Sequence, residues 1–337
     1  MDLTAITLTE LRYVVAVADT GHFGRAAEEC HVTQPTLSTQ IKKLEEQLGV
    51  PLFERTSKRV RLTAAGQRIV DRARAILEEV RAIGDVARGH REPLAGPLRL
   101  GVIPTLGPYL LPWLLPALQA AFPRLHLVLQ ESLTATLLEE LAAHRLDAAL
   151  LALPVHAPGM VSTALFDEPF FVLVPSEHPL AARKQVRDTD LEGQRVLLLT
   201  EGHCLRDQAL AICGDQRSPH DDDFRATSLE TLRHMVAAGL GCTLLPALAV
   251  PGLTADAVAA RPFRAPAPTR RIGLVWRRSF PDADALRVLA DFIRARLPKS
   301  VRAVAAAGRQ PLGDRLSDED SASSTSGSRL PVSRRYS

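Results

Sequence analysis

The chain has 337 residues, of which 46% are hydrophobic and 23% are charged, and its net charge is +3. This length allows two or three domains with substantial cores and excludes a single small module. No uncharged stretch approaches the roughly 18 residues of a membrane span, and the N-terminus lacks the pattern of a signal peptide, so we predict a cytoplasmic protein without membrane contact. The four cysteines are unclustered, and neither a structural disulfide framework, a metal nor a cofactor is predicted.

Two short helical patterns near the N-terminus are separated by a break at His31 and Val32, which is typical of a helix-turn-helix. The second helix has an apolar face that includes Leu37 and Ile41, and Thr33 is its expected N-cap. Its outward polar positions begin at the start of the helix, where side chains reach base edges in a DNA major groove. The DNA-contacting residues predicted in this helix are Thr33, Gln34, Pro35, Thr36, Ser38, Gln40 and Lys43.

A basic stretch, PLFERTSKRVRLT, follows this helix. Its basic residues alternate in part with Val60 and Leu62, as in a β-wing that lies beside a DNA backbone. By itself the stretch favours a solvated basic hairpin, but its position after a helix-turn-helix favours contact with DNA phosphates. The predicted phosphate contacts are Arg55, Lys58 and Arg59.

A long helical pattern begins after Thr63, its expected N-cap, and ends near Gly89. Apolar residues recur every three or four positions and form a narrow seam along one side. The seam indicates pairing with a second copy of the helix, although packing against its own domain is the alternative. A pair would place two recognition helices on successive half-sites of DNA. The seam residues are Ile69, Ala73, Ile76, Val80, Ile83 and Ala87.

The stretch QPTLSTQIKKLEEQLGVPLFER, within this order of winged helix and long helix, resembles the LysR-type transcriptional regulators. The resemblance implies a DNA-binding regulator that acts on promoter DNA, with RNA polymerase as an expected partner. We divide the chain into a winged helix-turn-helix domain at 1–62, a dimerisation helix at 63–91 and a regulatory domain at 92–298. The serine-rich, aperiodic tail at 299–337 is predicted to be disordered.

From about residue 97, strand and helix patterns alternate, which specifies an α/β fold with mostly parallel, helix-covered sheets. The resemblance implies a regulatory domain similar to periplasmic binding proteins, with subdomain I at about 97–166 plus 271–298 and subdomain II at about 167–270. The predicted fold class is therefore multidomain: an all-α winged helix-turn-helix with a long linker helix, followed by a two-subdomain α/β domain. The expected crossings between subdomains are Leu165–Pro169 and Arg264–Arg271.

Three polar positions follow predicted strands, at the edge where ligands bind in open α/β sheets. These positions are Thr105, Thr134 and the pair His203 and Cys204. Helix capping is the simple alternative for each threonine, but their joint placement with a thiol favours one small pocket.

Cys204 begins a predicted helix between His203 and Arg206, an arrangement that favours a thiolate able to attack the O–O bond of hydrogen peroxide. Cys213 lies nine residues later, so about 13 Å of helix would separate the two α-carbons. A disulfide needs a separation below about 7 Å, so joining the two thiols must unwind the helix. A zinc site made by His203 and these thiols has unsuitable spacing. The thiols expected to be buried and inert are Cys30 and Cys242.

The stretches GVIPTLGPYLLP, EGHCLRDQ and FRATSLETLR narrow the resemblance to the peroxide-sensing branch of the LysR family. That branch implies a homodimer or homotetramer that activates antioxidant genes when oxidised and is reset by a thiol reductant of the glutaredoxin or thioredoxin type. It also implies that Cys204 is the peroxidatic cysteine and Cys213 the resolving one. The residues predicted to bind peroxide or support its activation are Thr105, Thr134, His203, Arg206, Asp207 and Arg271.

Two other functions remain compatible with the sequence. The first is a regulator of the same fold that responds to an organic metabolite. Its response would be unchanged if Cys204 were replaced by serine. A thiol peroxidase would use the same thiols, but it needs no groove-reading module, so the protein is predicted not to be an enzyme. The segment between Cys213 and Arg225 is more acidic than the resemblance implies, with Asp223 where a histidine can occur, so we expect an altered redox potential.

Overall fold

The computed structural model describes residues 6–55, 60–87, 94–213, 226–253 and 256–304. Lys58, Arg59, the acidic segment after Cys213 and most of the predicted tail lie outside the described residues. The helices are α1 (Leu8–Thr20), α2 (Phe23–Glu29), α3 (Gln34–Leu48), α4 (Ala64–Ala87), α5 (Gly107–Ala121), α6 (Thr134–Ala142), α7 (Cys204–Cys213), α8 (Leu229–Ala237) and α9 (Ala283–Arg294). The strands are β1 (Phe53–Arg55), β2 (Val60–Leu62), β3 (Gly96–Val102), β4 (Leu125–Glu131), β5 (Ala148–Leu153), β6 (Met160–Pro175), β7 (Thr243–Pro246), β8 (Val258–Pro262), β9 (Thr269–Arg277) and β10 (Arg302–Ala303).

Three helices and a two-stranded ribbon form the N-terminal fold. Helix α3 begins where the sequence predicts, because the hydroxyl of Thr33 accepts the backbone N–H of Thr36 and caps the first turn. Its apolar face, which includes Leu37 and Ile41, is buried in the N-terminal core. Strands β1 and β2 pair antiparallel and form the predicted wing.

Helix α4 also begins as predicted, since the backbone N–H of Gly66 donates to the Thr63 hydroxyl at 2.8 Å. The predicted seam, however, is divided into two parts. Ala73 is buried where α4 packs against α1. The following apolar side chains are exposed, by 45% at Ile76, 38% at Val80 and 69% at Ile83. The first part of the seam therefore serves its own domain, and only the second part is open to a partner.

The regulatory part contains an eight-stranded sheet in the order β10-β6-β9-β5-β3-β4, with β7 and β8 paired to β6. Strand β3 is parallel to β4 and β5, whereas β9 is antiparallel to both β5 and β6. The prediction of mostly parallel sheets is wrong, because β6 and β9 return across the domain and therefore run against their neighbours. The predicted strand RVLLLT makes only isolated bridges, at Val196 and Leu199.

Two hydrophobic cores organise the regulatory part. One core is built from α5, α6, α9 and the strands around β3 and β5, and the other from α7, α8 and β7. Strand β6 joins them, because it contributes Phe166 to the first core and Phe170 to the second. None of the described helices is long and apolar enough to cross a membrane.

Candidate redox site

Cys204 lies where the two cores of the regulatory part meet. Helix α7 begins at this residue, and its next turns bury Leu205 and Ala209 in the second core. The half-buried Cys204 itself packs against the first core. A chemical change at this sulfur therefore acts on the contact between the two cores.

Two polar groups beside Cys204 favour its thiolate form, namely the hydroxyl of Thr134 and the backbone N–H of Leu205. Thr134 is the first residue of α6, and Thr105 is buried in the turn between β3 and α5. The N-cap positions of α5 and α6 are leucines without a side-chain capping bond, so neither threonine caps its helix. The capping interpretation of these threonines is therefore wrong, and Thr134 instead contacts the thiol.

Arg270 brings a buried positive charge to this site. Its Nη1 donates to Thr105 Oγ1 at 2.9 Å, and its Nη2 donates to the Thr105 carbonyl at 3.0 Å. Its Nε donates to Glu168 at 2.8 Å, in a salt bridge whose two side chains are fully buried. The positive charge of Arg270 favours the thiolate form of Cys204.

Arg271 does not lie at the site, which corrects the sequence prediction. Its side chain is 52% exposed and pairs with Asp167, with 2.7 Å between Nε and Oδ1. Successive residues of a strand point to opposite faces of a sheet, so only one of two adjacent arginines can face Cys204. That arginine is Arg270, which shares its face with the buried Ile272.

The predicted pair of cations beside Cys204 is also wrong. His203 is buried, and burial lowers its pKa, so it is neutral at pH 7. The Arg206 guanidinium donates to the carbonyl of Leu199 at 2.9 Å. The flanking residues are neighbours of Cys204 in sequence, but the cation that acts on its sulfur comes from the distant strand β9.

Burial dominates the ionisation of Cys204 and raises its pKa above the ordinary value. The charge of Arg270 and the hydrogen bonds from Leu205 and Thr134 work against burial, while the exposed Asp207 adds to its effect. The resting thiol is therefore mostly protonated at pH 7, and its activation requires loss of a proton.

All four cysteines are free thiols. Burial raises the pKa of Cys213 to about 11 and is the main cause that raises the pKa of Cys242 to about 12. Burial likewise raises the pKa of Cys30. Because α7 runs unbroken from Cys204 to Cys213, their α-carbons stand about 13 Å apart, as the sequence predicts. No three His, Cys, Asp or Glu side chains within the described ranges are grouped closely enough to hold a metal ion.

Three site residues were missed from the sequence. Arg270 and Glu168 form the buried salt bridge, and because they are 102 positions apart no local sequence pattern indicates the pair. Gln208, one helical turn after Cys204, carries a buried side-chain oxygen that has no hydrogen-bond partner among the described residues. Its i+4 spacing from Cys204 places it on the same helix face.

The predicted DNA-binding residues of α3 form one surface of the N-terminal fold. Residues at and after the helix start are exposed, as is Lys43, whereas Ser38 and Gln40 are half-buried. In the wing, the backbone of Arg55 lies in β1, opposite Val60. The exposed residues at the start of the helix are Thr33, Gln34, Pro35 and Thr36.

Comparison with known families defines the class of this protein. Residues 91–298 match the LysR substrate binding domain, and residues 8–67 match the bacterial regulatory helix-turn-helix proteins of the lysR family. The fold and the site are thus those of a LysR-type transcriptional regulator.

Similar proteins narrow this class further. The Escherichia coli protein described as the DNA-binding transcriptional dual regulator OxyR is 48% identical over 293 residues, covering 87% of this chain and 96% of that protein. A full-length OxyR variant from Pseudomonas aeruginosa matches in structure with a TM-score of 0.77 and 45% identity, covering 86% of this chain and 95% of that one. A hydrogen-peroxide-bound OxyR mutant from Corynebacterium glutamicum has a TM-score of 0.60 and 38% identity, covering 86% and 93%. The chain belongs to the OxyR family of LysR-type regulators.

Proposed function

We propose that this protein is a DNA-binding transcriptional regulator that senses hydrogen peroxide through reversible formation of a Cys204–Cys213 disulfide and activates antioxidant genes. The observation that carries the proposal is the position of Cys204. It lies between two cores, and Thr134, the Leu205 N–H and the Arg270 charge all favour the thiolate form of its sulfur. A second thiol ends the same helix.

Two balanced steps make the disulfide. The Cys204 thiolate attacks one oxygen of hydrogen peroxide, the O–O bond breaks, and the departing hydroxide takes up a proton and leaves as water. The sulfur is then a sulfenic acid, which the Cys213 thiol attacks. The S–O bond breaks and a second water leaves. Thr105, Thr134 and Arg270 are the donors we assign to the peroxide oxygens, with His203 as a neutral neighbour.

Arg206 and Asp207 have supporting roles in this proposal. The Arg206 guanidinium holds the first turn of α7 to the Leu199 carbonyl, and Asp207 lies in the same turn. Both groups are therefore released when α7 unwinds. We keep Arg271 out of the peroxide site, because its exposed side chain pairs with Asp167.

DNA binding is assigned to the winged helix-turn-helix. In a homodimer, or a homotetramer built from two dimers, paired α4 helices would set two α3 helices on successive half-sites of promoter DNA. The exposed apolar residues of α4 support this pairing. RNA polymerase is the expected transcription partner, and a glutaredoxin-type or thioredoxin-type reductant would reset the disulfide. We propose domains at 1–62, 63–91 and 92–298, with the regulatory domain divided as the sequence predicts. The start of the predicted disordered tail at 299–337 is a correction, because Arg302–Ala303 form β10 and pair with β6.

The experiment that tests the proposal is disulfide mapping by mass spectrometry after brief exposure of the reduced full chain to low-micromolar hydrogen peroxide. We expect a Cys204–Cys213 link while Cys30 and Cys242 stay free. Cys204→Ser should abolish both the link and the redox-dependent change in the DNA footprint, whereas the control Cys242→Ser should keep both. A Cys204 that stays a thiol, or regulation that survives Cys204→Ser, would exclude the proposal and favour an organic effector.

The proposal treats the protein as a regulator, not as an enzyme. One oxidation per signal is sufficient for a sensor, whereas a thiol peroxidase must turn over continuously. We therefore expect no sustained peroxide consumption beyond the rate at which an added reductant resets the disulfide. Continuous rapid turnover with the same reductant would favour the peroxidase instead.

A further inference from the structure

Strands β6 and β9 carry two salt bridges side by side, one on each face. In this antiparallel pair Glu168 lies opposite Arg270, and Asp167 lies opposite Arg271. Directly opposite residues share a face and adjacent residues alternate, so the two salt bridges point in opposite directions. The Glu168–Arg270 side chains are fully buried, whereas those of Asp167 and Arg271 are 26% and 52% exposed.

The buried carboxylate of Glu168 accepts hydrogen bonds from a backbone group as well as from Arg270. One oxygen of Glu168 accepts Nε of Arg270 at 2.8 Å, and the other accepts the backbone N–H of Leu248 at 2.8 Å. The turn that contains Leu248 follows β7, so Glu168 joins β6, β9 and this turn. Arg270 in turn donates hydrogen bonds to both the hydroxyl and the carbonyl of Thr105. A single carboxylate thus fixes the arginine whose charge acts on Cys204, and through that arginine it is linked to Thr105.

We propose that Glu168 is a positioning residue for the reaction of Cys204 with hydrogen peroxide. It orients the Arg270 guanidinium on Thr105 beside the sulfur and balances the guanidinium charge. This inference rests on the proposed function for the reaction itself, but the placement of Arg270 by Glu168 is independent of it. Because donors fixed before reaction stabilise the developing charge best, loss of this anchor should slow the chemical step.

Two substitutions separate the geometric role of Glu168 from its charge. Glu168→Gln removes the negative charge and leaves one oxygen for two donors, so either Arg270 or the Leu248 N–H loses its partner. Glu168→Asp keeps the charge but withdraws the carboxylate by one methylene. Asp167→Asn is the matched control, because it breaks the exposed salt bridge on the same two strands.

The test uses reduced full-length protein and two measurements. One is the second-order rate constant of Cys204 oxidation by hydrogen peroxide, followed by rapid quenching and mass spectrometry. The other is the pH profile of Cys204 alkylation by iodoacetamide, which reports the thiolate directly. The charged and polar groups that act on this thiol are Arg270 from β9, Thr134 from α6, and Asp207 and the Leu205 N–H from α7.

For Glu168→Gln we expect a rate per thiolate at least roughly tenfold lower. We expect its alkylation midpoint to move to lower pH by about half a unit or more, because the Arg270 charge is no longer balanced. A general loosening of the fold would also expose Cys204 and lower its pKa, so the two causes are separated by Glu168→Asp, which keeps the charge beside Arg270. Glu168→Asp should lower the oxidation rate per thiolate and leave the alkylation midpoint of Cys204 unchanged. This second variant tests the inference even if Glu168→Gln does not fold.

The control should match wild type within about twofold in both measurements. Wild-type rates in the two Glu168 variants, or an equal loss in Asp167→Asn, would overturn the inference. If wild-type Cys204 does not react with peroxide at all, the proposed function fails instead. The alkylation midpoints would in that case still decide whether Glu168 governs the charge beside Cys204.

Discussion

At the scale of single residues, the state of Cys204 is decided by opposing effects. Burial raises its pKa, and Arg270, Leu205 and Thr134 lower it. Of these, the hydroxyl of Thr134 is the simplest to remove without changing charge. It occupies the first position of α6, where it makes no capping bond. Its loss should therefore affect the thiol rather than the helix.

We predict that Thr134→Val raises the pKa of Cys204 further and slows its oxidation at pH 7 by roughly tenfold, because a hydrogen bond to the thiolate is lost. Thr136→Val, two residues later in the same helix, is the control and should react like wild type. Stopped-flow oxidation by hydrogen peroxide gives both rates. Equal rates for the two variants would show that Thr134 makes no effective contact with the thiolate.

The raised pKa of Cys204 also predicts a pH dependence. Below the pKa of a thiol, the thiolate fraction grows about tenfold with each pH unit. The rate of Cys204 oxidation should therefore rise steadily from about pH 6.5 to pH 8.5, without a plateau near neutrality. His203 should add no inflection near neutral pH or above, because burial lowers its pKa below the ordinary value. A rate that is flat across the range would indicate a thiolate already formed at pH 7.

At the scale of secondary-structure elements, α7 has to change when its two thiols join. Its ends stand about 13 Å apart as a helix, and a disulfide needs less than about 7 Å. Oxidation should therefore break the helical hydrogen bonds of residues 205–213. We expect their amide hydrogens to exchange with solvent faster in the disulfide form. Hydrogen exchange with mass spectrometry measures this. Peroxide-treated Cys213→Ser should keep the protection of the reduced protein, and unchanged protection in the oxidised wild type would contradict the unwinding.

Helix α4 is divided between two uses, because its first apolar residues, such as Ile69 and Val70, belong to the N-terminal core and its later ones are exposed. Ile83 is 69% exposed and lies in the second part of the α4 seam. We predict that Ile83→Asn, which places a polar group there, weakens dimerisation by about tenfold or more. Arg81→Asn, on a different side of the helix, is the control. Sedimentation over a range of concentrations compares the two, and an unchanged dimer for Ile83→Asn would locate the interface elsewhere.

At the scale of the whole molecule, one acidic residue ties the linker helix to the regulatory part. Glu78 of α4 accepts Nη2 of Arg277 at 2.5 Å and contacts Nδ1 of His144 at 2.5 Å. Arg277 also donates to the carbonyls of Leu141 and Leu146, so this contact joins α4 to the end of β9. Arg270 and Arg277 lie at opposite ends of that strand. Strand β9 therefore runs from the redox site to the helix that carries the DNA-binding domain.

We predict that Glu78→Gln destabilises the full chain by about 3 kcal/mol, because it removes the carboxylate that contacts the buried Arg277 and leaves only the charge of Asp147 to balance it. Burial alone would raise the pKa of Glu78, but the His144 hydrogen bond and the Arg277 charge together lower it below the ordinary 4.5. A lowered carboxyl pKa contributes stability above the unfolded value, and that stability is lost as pH falls through the folded value. The difference from wild type in denaturant unfolding should thus be full at pH 7 and shrink below about pH 4.5.

The neighbouring Glu79→Gln is the control for this prediction, since Glu79 is exposed on the same helix. It should leave the unfolding curve unchanged, because a single exposed charge contributes little. Equal curves for Glu78→Gln and wild type at pH 7 would show that the contact with Arg277 does not hold the two parts together.

Several parts of the fold and the site follow from local sequence. The N-caps Thr33 and Thr63, the start of α7 at Cys204 and the wing after α3 are all confirmed. The errors concern residues far apart in the chain. The sequence predicts Arg271 at the site, where the structure has Arg270, and it predicts a continuous α4 seam, which the structure divides into a buried and an exposed part. The directions of β6 and β9 were also missed, because strand direction depends on how the chain returns.

The sequence by itself determined the helix-turn-helix and its wing, the caps at Thr33 and Thr63, the LysR-type DNA-binding fold and the helical spacing of two thiols. These features depend on periodicity and on hydrogen bonds between residues a few positions apart. Only the tertiary structure decided which charge acts on Cys204 and whether its neighbours are ionised. Arg270 and Thr105 are bonded across 165 positions, and Arg270 and Glu168 across 102. Burial and electrostatic contact at such separations arise when the chain is packed, so they leave no local pattern to read.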